Sequence, residues 1–312
     1  MLVTEALEDP RWKKVMNEEM RALQKNFDVK HAFLNGNLEE EVYMDLPPGC
    51  NVARDKKNPV CKLKMSLYGL KQSPRAWFGR FTKSIKNFGY TQTNSDHALF
   101  VKHDGRRLIA LIIYVNDIVV TGNDIEEQLK LQKYLSQEFE MKDLGDLKYF
   151  LGIEVARSKT SIFLYQRKYV LDLLTETRML GCKPADTPVE MNHKLYEDMD
   201  QEPTNKLIYL AHTRPDIAYD VSVVSQFMHL QSVSHRNTVD RILKYLKLAP
   251  EKGLMFSKME ILKLLDIHVD WAGFITDRCS TSGYFTFVGG NLVTWRSKIQ
   301  NVVSRSSAEA ED

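Results

Sequence analysis

The feature that most constrains the fold is the apolar stretch LIALIIYVNDIVVTG, residues 108 to 122. Its first eight residues carry no charge and lead into Asn116 and Asp117, after which three β-branched residues follow. Two such runs predict a tight β-hairpin with largely buried strands. The turn is predicted at Asn116-Asp117, because both residue types tolerate left-handed backbone angles. From this stretch alone, Asp117 is either a residue that favours the turn conformation or a carboxylate that faces solvent or a metal.

A second acidic residue gives this hairpin a chemical interpretation. Asp28 lies in FDVKHAFLNG, where Phe27 to Val29 is predicted to form a strand that ends before Gly36. Phosphoryl transfer by two divalent cations about 3.5–4 Å apart needs carboxylates from separate elements, and Mg²⁺ prefers oxygen ligands. An acid at a strand end and another on a hairpin turn meet this requirement. The pair Asp28 and Asp117 therefore predicts a Mg²⁺ site.

Apolar periodicity predicts the remaining elements. Helical spacing predicts helices at residues 4–25, 77–88, 124–139, 207–230 with a break at Arg214-Pro215, and 237–248. Trp77 is expected to anchor the helix that it begins against the sheet. Alternation predicts strands on either side of a turn at residues 158–160, and a later hairpin that turns at Gly289-Gly290-Asn291. Residues 184–204 hold three prolines and predict a linker.

Several motifs occur together in one order. FDVKHAFLNG is followed by LEEEVYMDLPPG, SLYGLKQSPRAW, YVND, YFLGIEV, TRPDIAY and VDWAG, and SSAEAE stands near the end. This set resembles the reverse transcriptase of Ty1/copia-type retrotransposons over nearly the whole chain. The resemblance implies an α+β fold with a reverse-transcriptase palm, in which helices pack on an antiparallel sheet. It also implies a helical thumb or connection and a partial RNase H-like α/β domain.

The resemblance divides the chain into four parts. They are an N-terminal helix with a fingers remnant (1–26), a palm with the catalytic hairpin (27–157), a primer-grip hairpin with linker and thumb or connection helices (158–255), and a truncated RNase H-like domain (256–312). The activity implied is that of an RNA-directed DNA polymerase acting with two Mg²⁺ ions on an RNA template and a DNA primer.

The resemblance also assigns roles to residues. Asp28 and Asp117 would bind metal at the catalytic centre. Phe33 matches an aromatic gate that excludes a ribose 2′-hydroxyl, with ordinary core packing as the alternative. The nucleotide and template pocket is further implied for Gln72, Ser73, Pro74, Arg75 and Tyr114.

The hairpin departs from the family pattern at one residue. The family has Tyr-x-Asp-Asp, whose first acid is the essential metal ligand, and this chain has Asn116 there. Asparagine offers a neutral oxygen in place of a carboxylate. At ~4 Å a lost charge pair is worth roughly 4 kcal/mol at an effective dielectric of 20. Felt fully in the transition state, that loss slows the reaction about a thousandfold. We therefore expect an impaired polymerase.

Two further departures concern other parts of the family pattern. A long fingers segment with basic residues for the triphosphate normally precedes the first acidic strand, whereas here Lys25-Asn26 runs directly into Phe27. The resemblance thus implies that dNTP binding is weakened. In the RNase H-like part, His268 stands two residues before Asp270 in the place of the first metal acid. Glu309 matches the second acid, or is a capping-box partner. Nuclease activity is not expected.

The nucleic-acid signal is local, because the net charge of +2 is small. Residues 51–90 hold ten Lys or Arg against one acid, with aromatic residues between them. Basic side chains neutralise phosphates and aromatic rings stack on bases, so this segment predicts a template and primer surface, with a solvated face as the alternative. The basic patch proper consists of Lys62, Lys64, Lys71, Arg80, Lys83 and Lys86.

Other features narrow the class of protein. The four cysteines are widely spaced, and no signal-peptide core or membrane-length apolar run is present, which predicts an intracellular chain in the cytoplasm or nucleus. No glycine-rich phosphate loop, nucleophile elbow or zinc motif indicates another enzyme class. Two hypotheses remain: a reverse transcriptase with weak activity, and a non-catalytic remnant that at most binds nucleic acid. The sequence does not indicate an oligomeric state.

Overall fold

The computed structural model describes residues 25–46, 60–105, 107–158, 160–188, 203–226, 233–257, 264–271 and 281–299. These residues form antiparallel sheets and six α-helices, so the predicted α+β class is confirmed. They fall into two compact units, residues 25–147 and residues 148–299. The predicted helix before residue 25 and the capping box at Ser306 lie outside the described residues.

The first unit is built on a six-stranded antiparallel sheet. The strands of this unit are β1 (Lys25–Val29), β2 (Tyr43–Asp45), β3 (Val60–Lys62), β4 (Thr91–Gln92), β5 (Leu99–Asp104), β6 (Arg107–Tyr114), β7 (Asp117–Gly122) and β8 (Met141–Asp146). Of these, β2 and β3 form a separate two-stranded ribbon. The sheet order is β4-β5-β6-β7-β1-β8. The predicted hairpin of β6 and β7 is therefore confirmed, and β1 lies beside it.

Two helices cover this sheet, α1 (Ser73–Asn87) and α2 (Ile125–Glu138). Both predictions are confirmed, although α1 begins four residues earlier than the predicted position 77, and Pro74 suits its first turn. Asp124 caps α2 by accepting a hydrogen bond from the backbone N–H of Glu127 at 3.1 Å. The hydroxyl groups of Ser84 and Tyr134 lie 2.9 Å apart and join the two helices.

The core of this unit lies between the helices and the sheet. Trp77 is 1% exposed, and its ring centroid lies 5.6 Å from that of Phe81 and 5.1 Å from that of Phe139. Other buried members are Phe27, Val29, Ile85, Phe100, Leu111, Ile118, Leu131 and Leu135. Burial of large rings dominates core stability, so the predicted anchoring of α1 by Trp77 is confirmed.

The second unit combines two sheets with four helices. Its elements are β9 (Tyr149–Phe150), β10 (Ile153–Arg157), β11 (Ser161–Tyr165), α3 (Arg167–Glu176), α4 (Pro203–Leu210), α5 (Pro215–Gln226), α6 (Val233–Leu248), β12 (Gly253–Ser257), β13 (Leu264–Trp271), β14 (Thr281–Val288) and β15 (Asn291–Ile299). The sheet orders are β12-β11-β10-β9 and β13-β14-β15.

Predictions for this unit largely hold. The strands on either side of residues 158–160, the break at Arg214-Pro215 and the hairpin after β14 are all confirmed. Part of the predicted linker, residues 189–202, lies outside the described residues. Among the helices of the described ranges, none combines the length and apolar character needed to cross a membrane.

A buried ion pair joins the start of α5 to the end of α6. Arg214 is 1% exposed, and its Nε and Nη2 donate to the two carboxylate oxygens of Asp216 at 2.8 and 2.9 Å. Its Nη1 donates to the carbonyl oxygen of Ala249 at 3.1 Å, and the Tyr245 hydroxyl donates to Asp216 at 2.9 Å. Burial raises the pKa of Asp216, but the hydrogen bonds and charge of Arg214 outweigh it and hold that pKa below its usual value.

We expect Arg214→Ala to lower the free energy of unfolding of the second unit by about 1.5–3 kcal/mol, because the half-buried carboxylate of Asp216 loses its two charged hydrogen bonds but keeps Tyr245 and, at 3.8 Å, Lys252. The lowered pKa of Asp216 also predicts a pH dependence. The stability that the ionised Asp216 contributes is present above the pKa of an unfolded aspartate and is lost as pH falls through the pKa of Asp216 in the folded state. Urea unfolding measures both effects. Lys206→Ala, which breaks an exposed pair with Glu176, is the control and should cost within about 0.5 kcal/mol. Equal losses in the two variants would contradict this account.

Candidate active site

The hairpin of β6 and β7 turns one residue earlier than predicted. Tyr114 pairs with Asp117, so the two-residue turn is Val115-Asn116, and Asp117 is the first residue of β7. The positive φ of 55° falls on Val115. The prediction of an Asn116-Asp117 turn is therefore wrong, as is its reason, since the left-handed residue is β-branched. Such a residue costs on the order of 1–3 kcal/mol and persists only where its surroundings hold it.

Two hydrogen bonds from different elements hold this turn. The indole Nε1 of Trp77, on α1, donates to the carbonyl oxygen of Val115 at 2.6 Å. The backbone N–H of Val29, on β1, donates to the carbonyl oxygen of Asn116 at 2.8 Å. Both carbonyl groups of the turn are thereby tied to the body of the unit.

The structure brings Asp28 and Asp117 together. They are antiparallel cross-strand partners on β1 and β7, and Lys142 on β8 is the partner of Asp28 on its other side. Residues directly opposite in neighbouring strands point to the same face, with Cβ atoms about 4.5–5.5 Å apart. Two carboxylates and one ammonium group therefore share one face at the end of the sheet.

Asn116 contacts this carboxylate pair directly. Its side-chain Nδ2 donates to Oδ1 of Asp28 at 2.5 Å, so the substituted residue places an N–H group on the first acid. Burial, and after it the charge of Asp28, raises the pKa of Asp117 above its usual value. The amide N–H of Asn116 thus satisfies one acceptor oxygen of the Asp28 carboxylate.

The donor set fits a magnesium ion that is shared with a substrate. Mg²⁺ is commonly bound through one or two carboxylates together with substrate phosphates, and Asp28 and Asp117 supply that number. Within the described ranges no group of three or more His, Cys, Asp or Glu side chains converges on one point. A second ion would depend on position 116, where the residue is neutral.

Phe33 lies beside the start of α1. It is half-buried, and its ring centroid lies 4.8 Å from that of Tyr68, which is 57% exposed. The backbone of Gly36 closes this turn against α1, because a Cβ there would lie 2.8 Å from the backbone nitrogen of Trp77. Sequence reasoning counts Tyr68 only among the aromatic residues of the template and primer surface in residues 51–90, and its position in SLYGLKQSPRAW was the signal that could have placed it beside Phe33. Phe33 packs on the core and also contacts Tyr68 with its ring tilted by 51°.

The four residues predicted at the nucleotide pocket differ in exposure. Gln72 is half-buried at the N-cap of α1, whereas Ser73 is buried and its hydroxyl donates to the carbonyl oxygen of Leu67 at 2.5 Å. Pro74 and Arg75 are exposed. Tyr114, the remaining predicted contact, is 55% exposed at the end of β6.

The basic patch divides in the same way. Exposed members are Lys62, Lys64, Lys71, Lys83 and Lys86, of which Lys62 pairs with Glu41. Arg80 is half-buried, donates to the carbonyl oxygen of Asn35 at 3.0 Å, and lies 5.7 Å from the ring centroid of Phe139. Its predicted part in a nucleic-acid surface therefore competes with this structural role.

The RNase H-like positions lie partly outside the described residues. His268 and Asp270 stand on β13, with Tyr284 and Ser282 of β14 as their backbone partners. Glu309 lies outside the described residues, so the predicted pairing of Asp270 with Glu309 stays a prediction.

Comparison with known proteins gives the family. Residues 14–191 match the family model described as reverse transcriptase (RNA-dependent DNA polymerase). The chain is 42% identical to the retrovirus-related Pol polyprotein from transposon RE1 of Arabidopsis thaliana, over 92% of this chain and 20% of that protein. It is 40% identical to the corresponding polyprotein from transposon TNT 1-94 of Nicotiana tabacum, over 91% of this chain and 23% of that protein. A putative transposon Ty5-1 protein of Saccharomyces cerevisiae is 30% identical over 91% of this chain and 96% of its own length.

These matches confirm the predicted resemblance. The chain belongs to the reverse transcriptase family, as the reverse transcriptase domain of a Ty1/copia-type retrotransposon Pol polyprotein. It spans about a fifth of the length of the two plant polyproteins that it matches.

The contact of Asn116 with Asp28 predicts the effect of restoring the acid. Without divalent metal, we expect Asn116→Asp to lower the free energy of unfolding by about 1–3 kcal/mol, because it removes an N–H donor and adds a third carboxylate. A third carboxylate raises the pKa of Asp117 further above its usual value, so the loss should shrink as pH falls and protons bind the folded state. Mg²⁺ should reverse the loss by binding the folded state.

Urea unfolding with EDTA or Mg²⁺ measures these effects. Asn123→Asp is the matched control, because it adds the same charge beyond the other end of β7 and keeps the acceptor for the N–H of Leu108. Its stability should respond to Mg²⁺ no more than that of the chain as given. If Asn116→Asp were equally insensitive to pH and to Mg²⁺, the proposed crowding of carboxylates would be wrong.

Proposed function

We propose that this chain carries the nucleotidyl-transfer centre of an RNA-directed DNA polymerase, and that Asn116 weakens its metal site. The observation that carries the proposal is the arrangement at the end of the sheet. Asp28 and Asp117 are cross-strand neighbours, and the side chain at position 116 reaches Asp28. Family membership supports the class of reaction, and the hydrogen bond supports the impairment.

In this proposal the carboxylates of Asp28 and Asp117 hold Mg²⁺ together with phosphate oxygens of the incoming nucleotide. When bound, the ion stabilises the charge that develops on the transferring phosphoryl group and orients the attacking 3′-hydroxyl. Asp117 must be ionised to act as a ligand, and its raised pKa lets protons compete in the acid range. Lys142 brings a positive charge to the same face, opposite Asp28.

Asn116 weakens this centre in two ways. A neutral amide leaves the charge of the metal less well compensated, by roughly 4 kcal/mol for a pair at ~4 Å and an effective dielectric of 20. In addition, an ion that binds Oδ1 of Asp28 has to displace the N–H group that Asn116 donates there. Both effects leave the hairpin backbone in place, since the turn is held through main-chain carbonyl groups.

Substrate binding is proposed from the surface around α1. The ring pair of Phe33 and Tyr68 forms one wall, where Phe33 would exclude a ribose 2′-hydroxyl. Arg75, Lys83 and Lys86 follow one another at spacings of eight and three residues, which places them on one exposed side of α1. These charges would neutralise phosphates of the RNA template and DNA primer. Such substrates occur in the cytoplasm and nucleus, the compartments predicted from the sequence.

The fingers and the RNase H-like part bear on the extent of the activity. Lys25 and Asn26 belong to β1, so the strand begins two residues before the predicted Phe27. We propose that dNTP binding consequently relies on the palm and α1. We further propose that β13 to β15 are part of an RNase H-like domain without nuclease activity. The non-catalytic alternative is not favoured by the relatives, and primer extension distinguishes it.

Primer extension on an RNA template with Mg²⁺ tests the proposal. We expect Asn116→Asp to extend a primer up to about a thousandfold faster than the chain as given. Asn123→Asp should leave the rate unchanged, and Asp28→Asn in the repaired variant should abolish extension. No extension by the repaired variant would overturn the proposed activity and favour a protein that only binds nucleic acid. Fast extension by the chain as given would overturn the role of Asn116.

Binding of an RNA–DNA hybrid tests the surface on α1. We expect the double variant Lys83→Ala, Lys86→Ala to bind more weakly and to reduce the slope of log affinity against log salt by about 1.4–1.8, because each phosphate contact contributes about 0.7–0.9. Lys130→Ala, Lys133→Ala is the control, since these exposed lysines have the same three-residue spacing on α2. Equal slopes for the two double variants would exclude α1 from the interface.

A further inference from the structure

We propose that Trp77 is a positioning residue for the catalytic turn, acting through its indole N–H rather than through its bulk. This inference rests on the proposed polymerase function for its consequence in metal binding. The observation behind it is the 2.6 Å hydrogen bond from Nε1 of Trp77 to the carbonyl oxygen of Val115. The bond ends on the backbone of the turn, so in this role Trp77 acts on the acids through the turn.

The bond acts on a backbone that needs support. Val115 has a φ of 55°, which a β-branched side chain disfavours, and its side chain is 41% exposed, so little packing holds it. A left-handed residue at the first position of a two-residue hairpin turn is normally glycine. The hydrogen bond from Trp77 therefore stabilises Val115 in a conformation that glycine would adopt without steric cost.

The second bond of the turn completes the constraint. The N–H of Val29 fixes the carbonyl group of Asn116, and the N–H of Trp77 fixes the carbonyl group that precedes it. With both peptide planes fixed, the Cα–Cβ bond of residue 116 has one direction, and its side chain reaches Asp28. Loss of either bond releases one plane and lets that side chain turn away.

The surroundings of Trp77 make the donor rigid. Its ring is 1% exposed between Phe81 and Phe139, and its backbone nitrogen would be 2.8 Å from a Cβ at Gly36. The donor can thus move only if α1 moves as a whole. Because α1 also begins at Gln72 and Ser73, the residue links the predicted nucleotide pocket to the predicted metal ligands.

The test compares Trp77→Phe with Trp295→Phe. The indole of Trp295 donates to the carbonyl oxygen of Ala211 at 2.9 Å, so both variants lose one indole-to-carbonyl bond, but Trp295 lies in the other unit. Backbone hydrogen exchange over residues 113–118 is the first measurement. We expect exchange there to accelerate about tenfold or more in Trp77→Phe and to stay unchanged in Trp295→Phe.

Two further variants separate the hydrogen bond from packing. Replacement of Trp77 by benzothienylalanine keeps the ring shape and substitutes sulfur for the N–H group, and should accelerate exchange as Trp77→Phe does. Val115→Gly removes the steric cost of the positive φ, so Val115→Gly combined with Trp77→Phe should restore slow exchange. Unchanged exchange in the benzothienylalanine variant, or no rescue by glycine, would overturn the proposal.

Manganese affinity in the Asn116→Asp background gives the functional measurement. We expect Trp77→Phe to raise the dissociation constant for Mn²⁺ about tenfold, equivalent to about 1.4 kcal/mol, and Trp295→Phe to leave it unchanged. Equal affinities in the two variants would overturn the positioning role. A repaired chain that binds no Mn²⁺ would contradict the proposed function instead, and the exchange comparison alone would then decide the role of Trp77.

Discussion

The insertion of β1 between β7 and β8 is the interaction on which the first unit depends. The strand pairs on both edges, and both neighbours come from much later in the chain: Asp28 is paired with Asp117 on β7 and Lys142 on β8, which are 89 and 114 positions on. Phe27 and Val29 are buried on it, while Asp28 faces the end of the sheet. Without this strand, Asp117 would stand at an edge with no acidic neighbour, and the turn would lose one of its two supports.

The elements of this unit were predictable because their sequences agree with local rules. The hairpin, α1 and α2 follow from apolar periodicity, and the side-by-side placement of Asp28 and Asp117 follows from a strand end and a turn. The details of the turn were not predictable in this way. Residue types that favour left-handed angles indicated Asn116-Asp117, whereas contacts from Trp77 and Val29 place that angle on Val115. A tertiary contact outweighed the local preference, as it often does.

The same limit applies to the surroundings of the acids. Tyr68 contacts the ring of Phe33, and Lys142 is the strand partner of Asp28. Neither relation can be deduced from a linear motif. Ser73 and Arg80 show the reverse, because both match a predicted site and both have a structural partner in the fold. A motif identifies which positions surround a site, and the contacts decide which side chains remain available to a ligand.

Asn116 has a consequence for how easily the site can change. An amide and a carboxylate have nearly the same shape, and the turn that carries residue 116 is held by its main chain, so exchange between the two needs no repacking of neighbours. Codons for Asn and Asp differ only in their first base. The neutral and the acidic residue at position 116 are therefore separated by a single transition mutation.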